Sequence, residues 1–299
     1  MIINYGTKDC QINITDVCYN KLCRNNIIRI PSNDVNRAMH FSDPIYGILK
    51  SIFISFDSEK PIEYDDTKDI FIDIATNVVT CKTENDYIET LKTMHQNLKI
   101  EHGSFNEEYP EQLMVVKYLT GNEKVLEIGG NIGRNSLIIA QILHQKQRQN
   151  NFVTLESSAE ISRQLSHNRD INYFNFHIET SALSKRPLIQ RGWDTIVSEQ
   201  LLDGYQPVQI ISLDELNAKY NIEFDTLVLD CEGAFYYILM DMPEILDNIN
   251  LIIMENDYWD IEKKHFIDNI LIKQGFYVDY SRAGGWGPCM NNFFEVWKK

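Results

Sequence analysis

Positive charge is scarce in this 299-residue chain: 28 Lys and Arg stand against 43 Asp and Glu, a formal net charge of -15. General binding to phosphate backbones or to anionic membranes rests on Lys and Arg neutralising anions, so neither nucleic acid nor membrane is expected as a partner. Paired cysteines are missing too. Cys10, Cys18, Cys23, Cys81, Cys231 and Cys289 contain no C-x-x-C and no regular framework, which argues against a zinc ribbon or a disulfide scaffold and fits a reducing compartment. No apolar run approaches the roughly 18 residues of a membrane-spanning helix. The opening Met1-Ile-Ile-Asn-Tyr-Gly-Thr-Lys8 lacks the basic region and apolar core of a secretory leader, so a cytoplasmic protein is expected.

What is present suffices for two domains, with 43% hydrophobic residues. Residues 1–83 alternate short apolar pieces (Ile12–Ile14, Ile27–Ile30, Ile48–Phe56, Asp69–Ile74) with turn residues such as Pro31-Ser-Asn-Asp34, the pattern of a small β-rich module. Such a module binds sugars or partners, or packs on an enzyme and mediates contacts in a homo-oligomer. Residues 84–107 read as a helical linker, with His102-Gly-Ser-Phe105 a candidate flap. From residue 108 onward, helices and apolar strands alternate, the signature of an α/β domain. A helix from about Glu108 to Leu119 opens it, with Pro110-Glu111 at the start, where proline is tolerated and an acid suits the helix dipole.

The most informative stretch is Lys124-Val-Leu-Glu-Ile-Gly-Gly-Asn-Ile-Gly-Arg134, which reads as strand, glycine turn, helix. Asn131 and Arg134 occupy places where the dinucleotide fingerprint needs glycine, so a nicotinamide or flavin site is disfavoured. Glu127-x-Gly129-x-x-x-Gly133 is instead the acidic-glycine pattern of proteins that bind S-adenosyl-L-methionine. Gly129 and Gly133 would let the backbone approach the cofactor, with Gly130, Asn131 and Asn135 beside them. An ordinary strand-to-helix turn with packing glycines is the competing reading. One βαβ unit on, the strand Asn151–Glu156 ends in an acid placed to hold ribose hydroxyls, followed by Ser157. Ser157-x-x-Glu160 also has the form of a capping box. The third strand leads to Ser181, Ala182 and Leu183, which suit an adenine ring.

Lys185 to Gly204 reads as irregular, with Trp193 at a lid or edge strand. Ser212-x-x-Glu215 is a capping box for a short helix. Two later strands deliver acids to one sheet edge, the first ending at Asp230-Cys231-Glu232-Gly233 before a helix over 234–246, the second at Glu255-Asn-Asp257. The last strands give a mixed sheet with an antiparallel end.

Three of these pieces together resemble the FkbM family of S-adenosylmethionine-dependent methyltransferases: Val125–Gly133, Ile211-Ser-Leu-Asp-Glu-Leu216 and Leu227-Val-Leu-Asp-Cys-Glu-Gly-Ala234. Ala182-Leu-Ser184 is similar to another segment of that family, whereas Gly130 and Cys231 depart from it. The resemblance covers about 108–299. It implies a Rossmann-like class I methyltransferase fold, a seven-stranded mixed sheet with an antiparallel last strand, and O-methylation of a small-molecule hydroxyl, a sugar or glycan precursor foremost. In such an enzyme Asp230 and Glu232 are the leading candidate bases, while Glu255 and Asp257 hold the acceptor or share the base role. The same acids suit Mg2+ or Ca2+ as a minority reading. A methyltransferase-like binding protein that no longer catalyses and an amine methyltransferase acting on an amino sugar are the rival readings.

Overall fold

The computed structural model describes every residue except Asn25, Asp57, Ser58 and Trp193, so the expectation for Trp193 lies outside the described residues. The chain divides into two compact units, Met1–Glu89 and Thr90–Lys299, the boundary falling inside the helix Glu84–Asn97.

The first unit holds two four-stranded antiparallel sheets. One aligns Gln11–Asn13, Ile2–Gly6, Ser51–Ser55 and Ile62–Tyr64, and the other Cys23–Arg24, Ile27–Ile30, Lys68–Asp73 and Val78–Thr83. The alternation of apolar residues sets their faces, with Ile28, Ile30, Ile70 and Ile72 fully buried. The turn expected at Pro31–Asp34 is the entry to a helix, Asp34–Phe41, where Asn33 Oδ1 accepts from Val35 N at 2.9 Å. Charge is buried here in paired form. Lys50 Nζ lies 2.9 Å from both Asp34 and Asp43, and the buried Arg37 donates to the carbonyls of Pro31, Asp65 and Lys68, each at 2.9 Å.

The second unit is built on a seven-stranded sheet. Its strands are β1 Val125–Ile128, β2 Phe152–Leu155, β3 His177–Glu179, β4 Thr226–Leu229, β5 Leu251–Glu255, β6 Tyr277–Arg282 and β7 Phe294–Lys298. They lie in the order β3-β2-β1-β4-β5-β7-β6, with β7 antiparallel to both neighbours and the first five parallel. This is the class I methyltransferase fold, and the strands β1, β2 and β4 are buried along their whole length, as continuous apolar runs require when helices cover both faces. The helices are α1 Tyr109–Tyr118, α2 Arg134–His144, α3 Ala159–Ile171, α4 Leu213–Tyr220, α5 Ala234–Asp241 and α6 Ile261–Lys273.

Local chemistry explains most boundaries. Ser212 and Glu215 form the reciprocal capping box, with Ser212 N to the Glu215 carboxylate at 2.8 Å and Glu215 N to Ser212 Oγ at 3.3 Å. Before α3 the cap is Ser158 and not Ser157: Ser158 Oγ accepts from Ile161 N at 3.4 Å. The helix expected over 234–246 stops at Asp241, because Pro243 has no N–H to donate and disfavours a helical Met242; a separate 3-10 turn, Pro243–Leu246, follows. The segment read as irregular contains a three-stranded antiparallel sheet, Leu188–Arg191 with Asp194–Val197 and Gln206–Val208. Its strands are short and half-exposed, so no apolar alternation announces them. Among the described residues no helix is long and apolar enough to cross a membrane.

Candidate active site

The strand order reverses at β1, whose neighbours β2 and β4 leave in opposite directions from it, and a ligand crevice is expected at the carboxyl end of strands at such a point. A cavity of ≈ 850 Å³ lies there, lined from β1, β2, β5, α1, α5, the turn after β4 and the small three-stranded sheet.

The glycine turn forms one wall. Gly129 N and Gly130 N both donate to Leu155 O, at 3.0 and 2.9 Å, which pins the turn to the end of β2. Gly129, Asn131 and Gly133 have φ of 91°, 47° and 95°, in the left-handed region. A Cβ on Gly129 would stand 1.6 Å from the Asp230 carbonyl oxygen, one on Gly130 2.2 Å from Thr154 Oγ1 and one on Gly133 2.4 Å from a Leu165 methyl. What these glycines make room for is therefore the protein itself, chiefly the close approach of the β1 and β4 ends. Gly129 and Asn131 line the cavity; Gly130, Gly133 and Asn135 do not.

Glu127 lies beneath the turn and off the cavity. It is 1% exposed, accepts a hydrogen bond from Ser136 Oγ at the start of α2, and burial pushes its carboxyl up to about 7. Glu156 faces the cavity and also braces it, one oxygen accepting from Asn131 N at 3.0 Å and the other from Ser158 N at 2.7 Å. Ser157, Ser181, Ala182 and Leu183 line the same end with Ile128 and Leu155. Ser181 Oγ is buried there without a hydrogen-bond partner. The segment His102–Phe105 does not line the cavity. Asn168 holds it by accepting from His102 N at 3.2 Å, and Arg134 Nε donates to Ser104 O at 3.2 Å.

Acids fill the other end. Asp230, Glu232 and Glu255 line the cavity, and Asp257, which acts on Glu232, does not. Glu232 has φ 50° and Gly233 φ 77°, two successive left-handed residues in the turn after β4, a conformation that costs a non-glycine residue about 1 kcal/mol or more. The bond to Asp257, together with burial, raises Glu232 to about 7. Burial, and after it the charges of Glu108, Glu111, Glu232 and Glu127, raises Asp230 well above the usual carboxylate range.

Two acids at the start of α1, the capping Glu108 and Glu111, complete the group without having been marked as site residues in the sequence. Glu108, with φ 55°, lines the cavity and accepts from Asn131 Nδ2 at 3.1 Å and from Arg134 Nη1 at 2.6 Å. Glu111 is 7% exposed and lines the cavity together with Glu255, whose carboxyl rises to about 10 through burial, Asp230 and Glu111. Nothing local distinguishes these from helix-start acids; only the packing of α1 over β5 brings them to the cavity. Trp286 also lines the cavity and packs on Trp259 with ring centroids 4.1 Å apart and the rings tilted by 37°. Among the described residues no set of three His, Cys, Asp or Glu side chains is grouped to hold a metal ion.

No protein-family model matches the sequence, and no curated protein is similar to it. Solved structures of low identity do share its outline. An O-methyltransferase from Bacillus cereus in complex with SAH is 17% identical, with a TM-score of 0.41 over 72% of this chain and 90% of that one. A ribosomal protein L11 methylase from Lactobacillus delbrueckii subsp. bulgaricus is 11% identical, with a TM-score of 0.39 over 66% and 79%. An M. jannaschii tRNA m1G37 methyltransferase is 12% identical, with a TM-score of 0.38 over 66% of this chain and 50% of that one. The fold assignment stands on the strand order itself.

Proposed function

We propose that this protein is an S-adenosylmethionine-dependent methyltransferase of the FkbM kind, transferring a methyl group to a hydroxyl of a small molecule, with a sugar or glycan precursor as the acceptor class. The observation that carries the reading is the Ser181 hydroxyl, buried without a partner at the apolar end of the cavity, across from a carboxylate, Glu156, at the end of the neighbouring strand. A buried polar atom left unpaired costs about 1–3 kcal/mol, so its natural partner is a ligand. An adenosyl group fits these residues: the Glu156 oxygens have lone pairs left for ribose hydroxyls, Ala182, Leu183 and Leu155 offer apolar surface to a flat ring, and Ser181 donates to a ring nitrogen.

The cofactor supplies an electrophilic methyl on a positively charged sulfur. The chain's own task is to align an acceptor oxygen and to take its proton. Glu232 is suited to the second role, since its pKa of about 7 keeps much of it ionised at neutral pH while leaving it basic enough to accept a proton. Asp257 acts on the Glu232 carboxyl, and Glu255 with Asp230 offers oxygens to the acceptor's remaining hydroxyls.

Calorimetric titration of the full chain with S-adenosylhomocysteine tests the reading. Saturable binding is expected, weakened roughly fivefold to tenfold in Ser181→Ala, the equivalent of one hydrogen bond at about 1 kcal/mol. Absence of binding by folded wild-type protein refutes it.

A further inference from the structure

Two tryptophans that the proposed chemistry leaves unused stand together in the second unit. Trp259 lies between β5 and α6 and is 80% exposed. Trp286 lies between β6 and β7, is 39% exposed and lines the same cavity as Glu232 and Glu255. Their ring centroids are 4.1 Å apart. An indole carries a large apolar surface, and two of them left side by side in water, continuous with a cavity, mark a surface that a ligand covers.

Both tryptophans sit on fastened backbone. Gly284 N donates to Met290 O at 3.0 Å, which closes the loop around Trp286. That loop rests on two buried rings of the cavity wall: a Cβ on Gly284 would stand 2.3 Å from the Phe294 ring, and one on Gly285, at φ 52°, would stand 2.2 Å from the Phe293 ring. On the Trp259 side, Asn256 N donates to Phe293 O and Asn256 Nδ2 to Asn292 O, each at 2.7 Å. The two loops are thus held to one short stretch, Asn292 to Phe294, and the indoles are placed before any ligand arrives.

The remaining lining of the cavity decides what the indoles receive. A pyranose has faces of carbon-bound hydrogens and an edge of hydroxyls. The hydrogens are drawn to the electron-rich face of an aromatic ring, and the hydroxyls need acceptors. The cavity offers both, the indole of Trp286 and the carboxyl oxygens of Asp230, Glu232 and Glu255. A flat phenol suits the indoles equally, but its single hydroxyl leaves the other carboxyls without a partner.

We propose that Trp286, with Trp259 packed on it, is the platform on which the acceptor lies, and that the acceptor is a pyranose with a C–H face on the indole and its hydroxyls toward the acids. This rests on the reading of the cavity as the site of a sugar methyltransferase, and it names the side chains that choose the sugar. The tryptophans bind and orient the acceptor; they take no part in holding the cofactor or in moving the proton.

Saturation-transfer NMR on the full chain, with and without S-adenosylhomocysteine, tests the platform. The protein's aromatic protons are irradiated, and the signal passed to methyl β-D-glucopyranoside, methyl β-D-galactopyranoside and methyl α-D-mannopyranoside is read, with sorbitol and phenol for comparison. Transfer to the ring protons on one face of at least one pyranoside is expected, and none to sorbitol. The affinity for that pyranoside is expected to fall roughly tenfold or more in Trp286→Ala and several-fold in Trp259→Ala, with part of the loss recovered in Trp286→Phe. Calorimetric affinity for S-adenosylhomocysteine is expected to stay within a few-fold in every variant. Trp259 is 80% exposed, so its replacement keeps the test valid even where Trp286→Ala fails to fold. The proposal is overturned if no pyranoside receives signal from the wild-type protein in either state, if transfer and affinity are unchanged in the alanine variants, or if phenol binds and the pyranosides do not. Failure of the wild-type protein to bind S-adenosylhomocysteine overturns the cofactor reading alone, because the pyranoside titration without cofactor reads the platform by itself.

Discussion

Glu127→Gln isolates a single buried carboxyl. Glu127 is 1% exposed at the heart of the second unit, and its pKa moves from an ordinary 4.5 to about 7 because burial penalises the charged form more than the Ser136 hydroxyl supports it. An unfolded chain ionises near 4.5, whereas the folded one holds the proton up to about 7. Between those values the folded state binds more protons, so its stability is fully present below pH 4.5, falls as pH rises to about 7 and levels off beyond. At about 1.4 kcal/mol per pH unit, the loss is on the order of 3 kcal/mol. Glutamine imitates the protonated acid and escapes the loss. The variant is therefore expected to match the wild type near pH 4.5 and to exceed it by about 3 kcal/mol at pH 8. Urea unfolding followed by tryptophan fluorescence reads the correct unit, since Trp193, Trp259, Trp286 and Trp297 all belong to it. A variant less stable than wild type at pH 8 refutes the reasoning, for it means that the ionised carboxylate is held by its hydroxyl donors and not merely tolerated.

Three further outcomes follow from the site. Glu232→Gln is expected to lower turnover by roughly a hundredfold or more while leaving S-adenosylhomocysteine affinity within a few-fold, as loss of a general base does; equal turnover removes Glu232 from that role. In the wild type, turnover is expected to fall about tenfold per unit as pH drops below about 7, because the Asp257 bond and burial raise Glu232 to that value and a base must be unprotonated; a rate that is flat from pH 7 to about pH 5 contradicts this. Gly129→Ala sets a Cβ 1.6 Å from the Asp230 carbonyl at φ 91°, and overpacking plus left-handed strain is expected to destabilise by about 3 kcal/mol in urea unfolding; an unaffected midpoint shows that β1 and β4 do not approach so closely.

The strands of the sheet and its antiparallel end were legible because the strands are short, apolar and separated by helices at βαβ spacing, whereas their order across the sheet is set by long-range pairing that no local pattern carries. Ser212 and Glu215 were legible because a capping box is a local device. The three-stranded sheet at Leu188–Val208 was not, since half-exposed edge strands carry no alternation, and Asn33 was read as a turn because caps and turns draw on the same residues. At the site, Asp230, Glu232, Glu255, Glu156 and Ser181 are strand-end residues whose position along the chain fixes their position in space, and they come together at the cavity. Glu111 belongs to a helix that precedes the sheet, and Glu255, with which it lines the cavity, lies over a hundred residues away, beyond the reach of any local signal. The glycines show a subtler limit: their pattern was visible, but the contact that demands them is with Asp230 O, Thr154 and Leu165.

The placement of the acids also bears on why the cavity is built as it is. Carboxyls whose pKa values are raised by burial and by one another detract from stability at neutral pH, and packing of apolar side chains is the cheaper way to fill the end of a sheet. Elsewhere in the chain buried charge is neutralised directly, as where Lys50 meets Asp34 and Asp43 and where Lys264 Nζ stands 2.8 Å from Glu295. In the cavity Glu108 has Arg134, but Asp230, Glu232 and Glu255 are surrounded chiefly by other carboxyls. A fold that pairs its buried charges in one place and crowds like charges in another gives up stability at the second, as functional sites commonly do. That inference is independent of sequence resemblance, and it favours ligands bearing positive charge over phosphorylated ones for the acid-lined end of the cleft.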